Sequence, residues 1–212
     1  MVRVKICGIT SLEDALASVE AGAHALGFNF YRDSPRYIEP SAARRIIDKL
    51  PASVLTVGVF VNERSEEVMR FASVAGVQAV QLHGDESPAY CRELQGIFVI
   101  KALRVSSGFK PEQAARYETG AILLDGFTTR AYGGAGKTFD WSVAARIRPL
   151  VAKLFLAGGL NVNNVAEAIA CVAPYAVDVC SALEITPGQK DHARVRAFID
   201  ATQKARSSES NL

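Results

Sequence analysis

The chain has 212 residues, of which 49% are hydrophobic and 22% charged, and its formal net charge is +2. A charge this close to balance gives no strong attraction to nucleic acid or to a membrane surface. No apolar run approaches the ~20 residues that a membrane helix needs. The length fits a single domain with a sizeable core.

The sequence contains four cysteines without the pair spacing of a metal site, namely Cys7, Cys91, Cys171 and Cys180. The first residues do not resemble a secretion signal, because Arg3 and Lys5 bring charge into the first predicted strand. We therefore expect reduced thiols in a cytoplasmic protein. At the other end, the polar residues 207–212 are expected to form a frayed tail.

Short apolar runs alternate along the chain with longer segments that carry helix start and stop signals. The runs predict strands at 2–7, 23–28, 54–60, 77–82, 98–102, 121–124, 154–157 and 176–180. The segments between them predict helices at about 11–21, 40–50, 65–75, 87–94, 111–117, 141–150, 162–172 and 191–205. The first helix has a capping signal, since Ser11 is followed three residues later by Asp14.

Eight strand–helix units, spaced by roughly 25 residues, imply crossover connections and a parallel sheet. An open, doubly wound sheet is the rival architecture. Eight units in a chain of this length favour a closed, single-domain (β/α)₈ TIM barrel, which is typically ~250 residues long and as short as ~200. We expect this barrel to span residues 1–206.

Side chains alternate between the two faces of a strand, so the sequence also predicts which ones face the barrel interior. In the first strand the interior set is Arg3, Lys5 and Cys7. The same argument places inward Gln81, His83, Val99, Lys101, Leu123, Asp125, Ala176, Asp178 and Cys180. Charged side chains are almost never fully buried unpaired. The set therefore predicts a polar mouth at one end of the barrel, although each residue alone could be a satisfied core residue.

Two of these residues have the position of catalytic groups. Asp125 follows an apolar strand and precedes a loop with glycines at 126, 133, 134 and 136. Ligands of parallel α/β proteins bind at the carboxyl ends of strands, and glycines suit a loop that moves or lets its backbone approach a ligand. Cys7 ends the first strand, where Lys5 would favour its thiolate. A thiol and a carboxylate could act as base and acid; a buried cysteine and a turn-capping aspartate are the alternatives.

Segments spread from the first strand to the eighth resemble one known family, that of phosphoribosylanthranilate isomerase. They are Lys5-Ile-Cys-Gly-Ile-Thr10, Gly27-Phe-Asn-Phe-Tyr31, Ser34-Pro-Arg-Tyr37, Val57-Gly-Val-Phe-Val-Asn62, Gln81-Leu-His-Gly84, Leu123-Leu-Asp125, Gly133-Gly-Ala-Gly-Lys-Thr-Phe-Asp-Trp141, Ala157-Gly-Gly-Leu-Asn161 and Ala176-Val-Asp-Val179. One segment departs from the pattern. The family usually has Ser-Gly-Val-Glu after the eighth strand, where this chain has Ser181-Ala-Leu-Glu184. We expect this turn to accept the Cβ of Ala182 at negative φ.

The resemblance implies the Amadori rearrangement of N-(5-phosphoribosyl)anthranilate in tryptophan biosynthesis. It assigns Asp125 as general acid and Cys7 as general base, and it makes Arg36 the binder of the anthranilate carboxylate. The substrate phosphate would lie on two loops that contain Gly158, Gly159, Ser181 and Ala182. Because each step is a proton transfer, no metal or redox cofactor is implied.

We further expect Lys5, His83 and Asp178 to lie at the substrate site. In a closed barrel the first and eighth strands are neighbours, so Lys5 and Asp178 are predicted to pair. The sequence leaves open whether the chain is a monomer or a homodimer.

Two other functions compete with this interpretation. A related isomerase of histidine biosynthesis performs the same rearrangement on another aminoaldose, but that family carries an acid at the first strand, where this chain has Cys7. The second competing function is that of a non-catalytic phosphate-binding or scaffold barrel. The presence of Cys7 together with Asp125 argues against it.

Overall fold

The computed structural model describes residues 1–106, 108–126 and 139–207. Eight parallel strands close into one barrel in chain order, with β8 hydrogen-bonded to β1, so the predicted TIM barrel is confirmed. The strands are β1 (Arg3–Cys7), β2 (Ala25–Asn29), β3 (Leu55–Phe60), β4 (Ala79–Leu82), β5 (Phe98–Val105), β6 (Ala121–Gly126), β7 (Leu154–Leu156) and β8 (Ala176–Val179). The loop glycines 133, 134 and 136 and the tail residues 208–212 lie outside the described residues.

Helices follow the strands and pack against them. They are α1 (Leu12–Glu20), α2 (Pro40–Ile47), α3 (Ser65–Ala75), α4 (Pro88–Glu93), α5 (Trp141–Ile147), α6 (Val165–Val172) and α7 (His192–Ser207). The segment after β5, predicted as a helix, is the 3₁₀ helix Pro111–Arg116. At the start of α1 the Ser11 hydroxyl accepts the backbone N–H of Asp14 at 3.1 Å, as the capping signal predicts. No helix among the described ranges is long and apolar enough to cross a membrane.

The barrel interior changes character along its axis. Near the amino ends of the strands it is filled by an apolar cluster that includes Ala79, Leu123, Phe155 and Ala176. Two or four residues further along the same faces come Gln81, His83, Asp125 and Asp178, which are buried and polar. A second, larger apolar cluster lies between the outer faces of the strands and the helices. The carboxyl end of the barrel is therefore a polar mouth above a packed core.

The predicted orientation of β5 is wrong. Ile100 and Ala102 belong to the interior cluster, whereas Val99 packs in the outer layer. Lys101 therefore does not line the mouth. Its buried Nζ donates to Glu86 Oε2 at 2.6 Å and to the carbonyls of Leu82 and Gly84 at 3.2 and 2.8 Å. Apart from Lys101, the predicted run 98–102 is apolar on both faces, so the lysine alone suggested its direction. The ion pair with Glu86 lets this lysine occupy the outer layer.

A small antiparallel hairpin follows β8, and the strand pattern did not predict it. A short 3₁₀ helix, Ser181–Leu183, leads into β9 (Glu184–Thr186), which pairs with β10 (Gln189–Lys190). Gly188 makes the turn at φ +86°, and the Thr10 hydroxyl donates to its carbonyl at 2.5 Å. The backbone N–H of Lys190 donates to Asp14 Oδ2 at 3.1 Å. These two hydrogen bonds connect the hairpin to the loop after β1 and to α1. The hairpin brings Glu184 and Lys190 to the mouth of the barrel.

Candidate active site

A cavity of about 240 Å³ opens at the carboxyl end of the barrel. Nine of the ten predicted site residues line it, namely Cys7, Arg36, His83, Asp125, Gly158, Gly159, Asp178, Ser181 and Ala182. The tenth, Lys5, is fully buried beside it. They come from the ends of β1, β4, β6, β7 and β8 and from the loop after β2, so the barrel brings together residues far apart in the sequence.

Asp125 stands at one side of the cavity in a short hydrogen-bonded chain. His83 Nε2 lies 3.2 Å from Asp125 Oδ2, and Gln81 Nε2 lies 2.7 Å from His83 Nδ1. The backbone N–H of Gly126 donates to Asp125 Oδ1 at 2.8 Å. Because the Gln81 amide donates to Nδ1, the assigned tautomer of His83 has its proton on Nε2 and donates it to the Asp125 carboxylate. These hydrogen bonds fix the direction in which the Asp125 carboxyl group faces the cavity.

Cys7 stands at the end of β1 above a buried ion pair. Lys5 Nζ lies 2.8 Å from Asp178 Oδ1, which confirms the predicted pair. Burial alone lowers the pKa of Lys5, but the charges of Asp178 and Cys7 outweigh it and hold that pKa above its usual value. Burial raises the pKa of Asp178 to about 6, even though Lys5 acts against this shift. At neutral pH the pair is thus charged, and Lys5 presents a fixed positive charge to Cys7.

The surroundings of Cys7 favour its thiolate. A hydrogen bond from the thiol of Cys180 lowers its pKa most, and burial opposes that effect. Lys5, Lys190 and His83 lower the pKa further, to well below the usual range of a thiol. Gly27 makes room for the sulfur, since a Cβ there would lie 2.7 Å from Cys7 Sγ.

Arg36 is anchored by Glu184, which sequence reasoning did not identify as a site residue. Arg36 Nε lies 2.9 Å from Glu184 Oε1, and Nη2 lies 2.7 Å from Oε2. Lys190 Nζ contacts the same carboxylate at 2.9 Å. Burial would raise the pKa of Glu184, but Arg36 and Lys190 outweigh it and lower that pKa to about 2. A signal was present, because Pro187-Gly188 marks a turn that returns Lys190 toward Glu184.

Two loops, after β7 and after β8, also line the cavity. Gly158 and Gly159 follow β7 at φ +82° and +67°, and a Cβ on Gly158 would lie 2.5 Å from the backbone nitrogen of Gly126. Only glycine fits such a close approach. Ala182 lies in the 3₁₀ helix Ser181–Leu183, and the described non-glycine residues with positive φ are Asn62 and Ala173. Negative φ at Ala182 is therefore confirmed.

The donors of the site do not form a metal centre. Across residues 1–106, 108–126 and 139–207, no three His, Cys, Asp or Glu side chains cluster as metal ligands would.

Comparisons with known proteins agree on one family. Residues 4–201 match the profile of N-(5'phosphoribosyl)anthranilate (PRA) isomerase. The N-(5'-phosphoribosyl)anthranilate isomerase of Thermotoga neapolitana is 54% identical over 200 residues, which cover 94% of this chain and 97% of the relative. That of Citrifermentans bemidjiense is 50% identical over 204 residues, which cover 96% and 98%.

Solved structures agree with the sequence relatives. The crystal structure of phosphoribosyl anthranilate isomerase from Thermotoga maritima superposes with a TM-score of 0.91 at 50% identity, covering 96% of this chain and 100% of the other. A phosphoribosyl anthranilate isomerase in complex with reduced 1-(o-carboxyphenylamino)-1-deoxyribulose 5-phosphate superposes with a TM-score of 0.87 at 49% identity and the same coverage. The fold and the motifs agree, and the relatives match over nearly the whole length of the chain. The chain therefore belongs to the N-(5'-phosphoribosyl)anthranilate isomerase family.

Proposed function

We propose that Cys7 and Asp125 divide the proton transfers of this reaction between them. The chain is an isomerase of tryptophan biosynthesis that rearranges N-(5-phosphoribosyl)anthranilate to 1-(2-carboxyphenylamino)-1-deoxyribulose 5-phosphate. The observation that carries the proposal is one cavity lined by both a thiolate-stabilising site at Cys7 and a hydrogen-bonded carboxyl at Asp125. A base and an acid with separate partners suit a reaction made of two proton transfers.

In the first step Asp125 delivers a proton to the ring oxygen of the aminoaldose, and the ring opens to a Schiff base. The His83 ring stabilises the carboxylate that this step leaves behind. Its Nε2 lies 3.2 Å from Asp125 Oδ2, and Nε2–H donates to the ionised carboxyl group.

In the second step the Cys7 thiolate removes the proton from C2′ of the sugar. The positive charges of Lys5 and Lys190 keep Cys7 deprotonated before this step, so no other base has to activate it. The resulting enolamine then tautomerises to the ketone. Every step moves protons within the substrate and the two side chains.

Substrate binding uses the rest of the cavity wall. Arg36 is proposed to bind the anthranilate carboxylate, because a guanidinium held rigidly by Glu184 loses little freedom on binding. We propose that the phosphate binds to backbone N–H groups of the Gly158-Gly159 loop and the Ser181-Ala182 turn. Arg36→Met should therefore raise KM strongly and lower kcat less. Steady-state kinetics on both parameters checks this, and an unchanged KM would remove Arg36 from the binding site.

The test of the division of roles is turnover of freshly made N-(5-phosphoribosyl)anthranilate, followed by the loss of its fluorescence. Cys7→Ala and Asp125→Asn should each lower kcat by about 10²–10⁴-fold, with a far-ultraviolet circular dichroism spectrum like that of the wild type. Near wild-type kcat in either variant would contradict that residue's role. The corresponding aminoaldose of histidine biosynthesis serves as the substrate control.

We also infer a cytoplasmic enzyme whose partner is its small-molecule substrate rather than nucleic acid, in line with the net charge of +2. A relative from Thermotoga maritima is described as dimeric. A monomer or a homodimer is proposed here, and light scattering in solution distinguishes the two.

A further inference from the structure

Cys7 has a second cysteine beside it. Strands β1 and β8 are paired with Lys5 opposite Asp178 and Ile6 opposite Val179. The next residues along the two strands are Cys7 and Cys180. Adjacent strands lie about 4.8 Å apart, which is within the Cα separation of about 4.4–6.8 Å that a disulfide spans. Both cysteines follow the inward-facing Lys5–Asp178 pair by two residues, so both side chains face the cavity.

The two sulfurs have different surroundings. Cys180 Sγ lies 3.8 Å from Lys190 Nζ and 3.7 Å from Glu184 Oε1. Its hydrogen bond to Cys7 raises the pKa of Cys180, so it keeps its proton while Cys7 is a thiolate. Both side chains are only partly buried and line the open cavity, where a small oxidant can reach them. A reactive thiolate next to a protonated thiol is the arrangement found where a second cysteine resolves an oxidised one.

The other two cysteines lack this arrangement. Cys91 is buried, and its burial raises its pKa to about 11, which makes it unreactive. Cys171 is exposed on α6. It serves as an internal control for thiols that react without a resolving partner.

We propose that Cys7 and Cys180 form an oxidative modification site, where hydrogen peroxide or an organic hydroperoxide converts the pair into an intramolecular disulfide. The Cys7 thiolate attacks the peroxide, forms a sulfenic acid and releases hydroxide or alkoxide. The Cys180 thiol then attacks that sulfur, the S–S bond forms, and the oxygen leaves as water after taking up the thiol proton. The two thiols lose two electrons and the peroxide gains them. A dithiol reverses the change.

The disulfide itself does not depend on the proposed function, but its effect on turnover rests on the proposed role of Cys7. Mass and activity are therefore measured on the same samples. A disulfide without loss of turnover would contradict the role of Cys7 as base. Loss of turnover without a disulfide would contradict the modification site.

The experiment compares three proteins: the wild type, Cys171→Ser and Cys180→Ser. The Cys171→Ser protein is needed because residues 154–190, which trypsin releases as one peptide, contain both Cys171 and Cys180. After treatment with hydrogen peroxide, Cys171→Ser should lose two hydrogen atoms in mass. The wild type should show the same loss from Cys7 and Cys180, in addition to any oxygen gained at Cys171. In a digest without reductant, residues 6–32 should be joined to residues 154–190.

Activity is expressed relative to each protein's own untreated rate. Dithiothreitol should restore most of the turnover of the wild type and of Cys171→Ser. In Cys180→Ser no disulfide forms, so Cys7 proceeds to sulfinic acid, the peptide of residues 6–32 gains two oxygen atoms, and dithiothreitol does not restore turnover. Equal recovery in Cys180→Ser, or no joined peptide in Cys171→Ser, would overturn the proposal.

Discussion

At the scale of single residues, the reactivity of Cys7 depends on charges contributed by distant parts of the chain. Lys5 lies two residues away, but Lys190 comes from β10 and Asp178 from β8. Lys5 lowers the pKa of Cys7. Asp178 partly neutralises the charge of Lys5, since its Oδ1 lies 2.8 Å from Lys5 Nζ. In the proposed mechanism the thiolate is the active form of the base, so turnover should be present above the pKa of Cys7 and lost below it.

Removing Lys5 should therefore shift the pH dependence in a known direction. Lys5→Met removes a positive neighbour and raises the pKa of Cys7, so the acid limb of kcat/KM should move to higher pH. Asp178→Asn is the matched control, because it breaks the same ion pair but removes a negative charge, and its acid limb should stay or move to lower pH. Both variants leave one buried charge unpaired and should unfold more easily. An acid limb of kcat/KM that does not shift in Lys5→Met would disprove the role of Lys5.

The sequence identified several site residues but only some of the contacts that hold them. Asp125 was predicted because it ends an apolar strand. The Lys5–Asp178 pair was predicted because β1 and β8 are neighbours in a closed barrel. Glu184 was missed because its contact with Arg36 joins residues 148 positions apart. The turn at Pro187-Gly188 indicates its approach to Lys190 but not to Arg36. Lys101 was misplaced because a lysine was interpreted as a marker of the open mouth, whereas Glu86 satisfies it in the outer layer at 2.6 Å.

At the scale of secondary-structure elements, the hairpin of β9 and β10 connects Arg36, the proposed carboxylate binder, to Lys190 beside the cysteines. Its residue Glu184 holds Arg36 and Lys190 together. The hairpin has strands of three and two residues, too short for any hydrophobic period. The longer barrel strands were predicted to within a few residues because each is an apolar run between turn signals. Only the direction of β5 was wrong, since Lys101 is the one polar residue of its predicted run and lies on the outer face.

Glu184 should make stability depend on acid pH. Its pKa is about 2 in the folded protein and about 4.5 when unpaired, so the folded state binds this proton less tightly. Its contribution to the free energy of unfolding is complete above about pH 4.5 and is lost as the pH falls toward 2. Glu184→Gln lacks this carboxylate. The wild type should therefore have the higher free energy of unfolding in urea, and its difference from Glu184→Gln should shrink as the pH falls from about 5 to 3. A difference that is constant with pH would contradict the assignment.

At the scale of the whole molecule, the barrel separates packing from chemistry along its axis. Phe155 belongs to the apolar interior near the amino ends of the strands, away from the cavity at the carboxyl ends. Phe155→Ala should lower the free energy of unfolding by about 3–5 kcal/mol, while kcat and KM of the folded enzyme change little. Chemical denaturation together with steady-state kinetics checks both parts. A large loss of kcat in a folded Phe155→Ala protein would show that the two regions are coupled.

The closed architecture was predictable because eight strand–helix units must share little more than two hundred residues. Closure makes β1 and β8 neighbours, and that contact creates both the Lys5–Asp178 pair and the proximity of Cys7 to Cys180. The first was predicted from the sequence. The second became visible only when the register of the two strands was known.

The division of roles between Cys7 and Asp125 is tested most directly with substrate carrying deuterium at C2′. Cys7→Ser has a weaker base, so removal of the C2′ proton should limit its rate and kcat should show a primary isotope effect. In Asp125→Asn ring opening should limit the rate, so its isotope effect should be near unity. An effect near unity in Cys7→Ser, or a large one in Asp125→Asn, would contradict the assignment of base and acid.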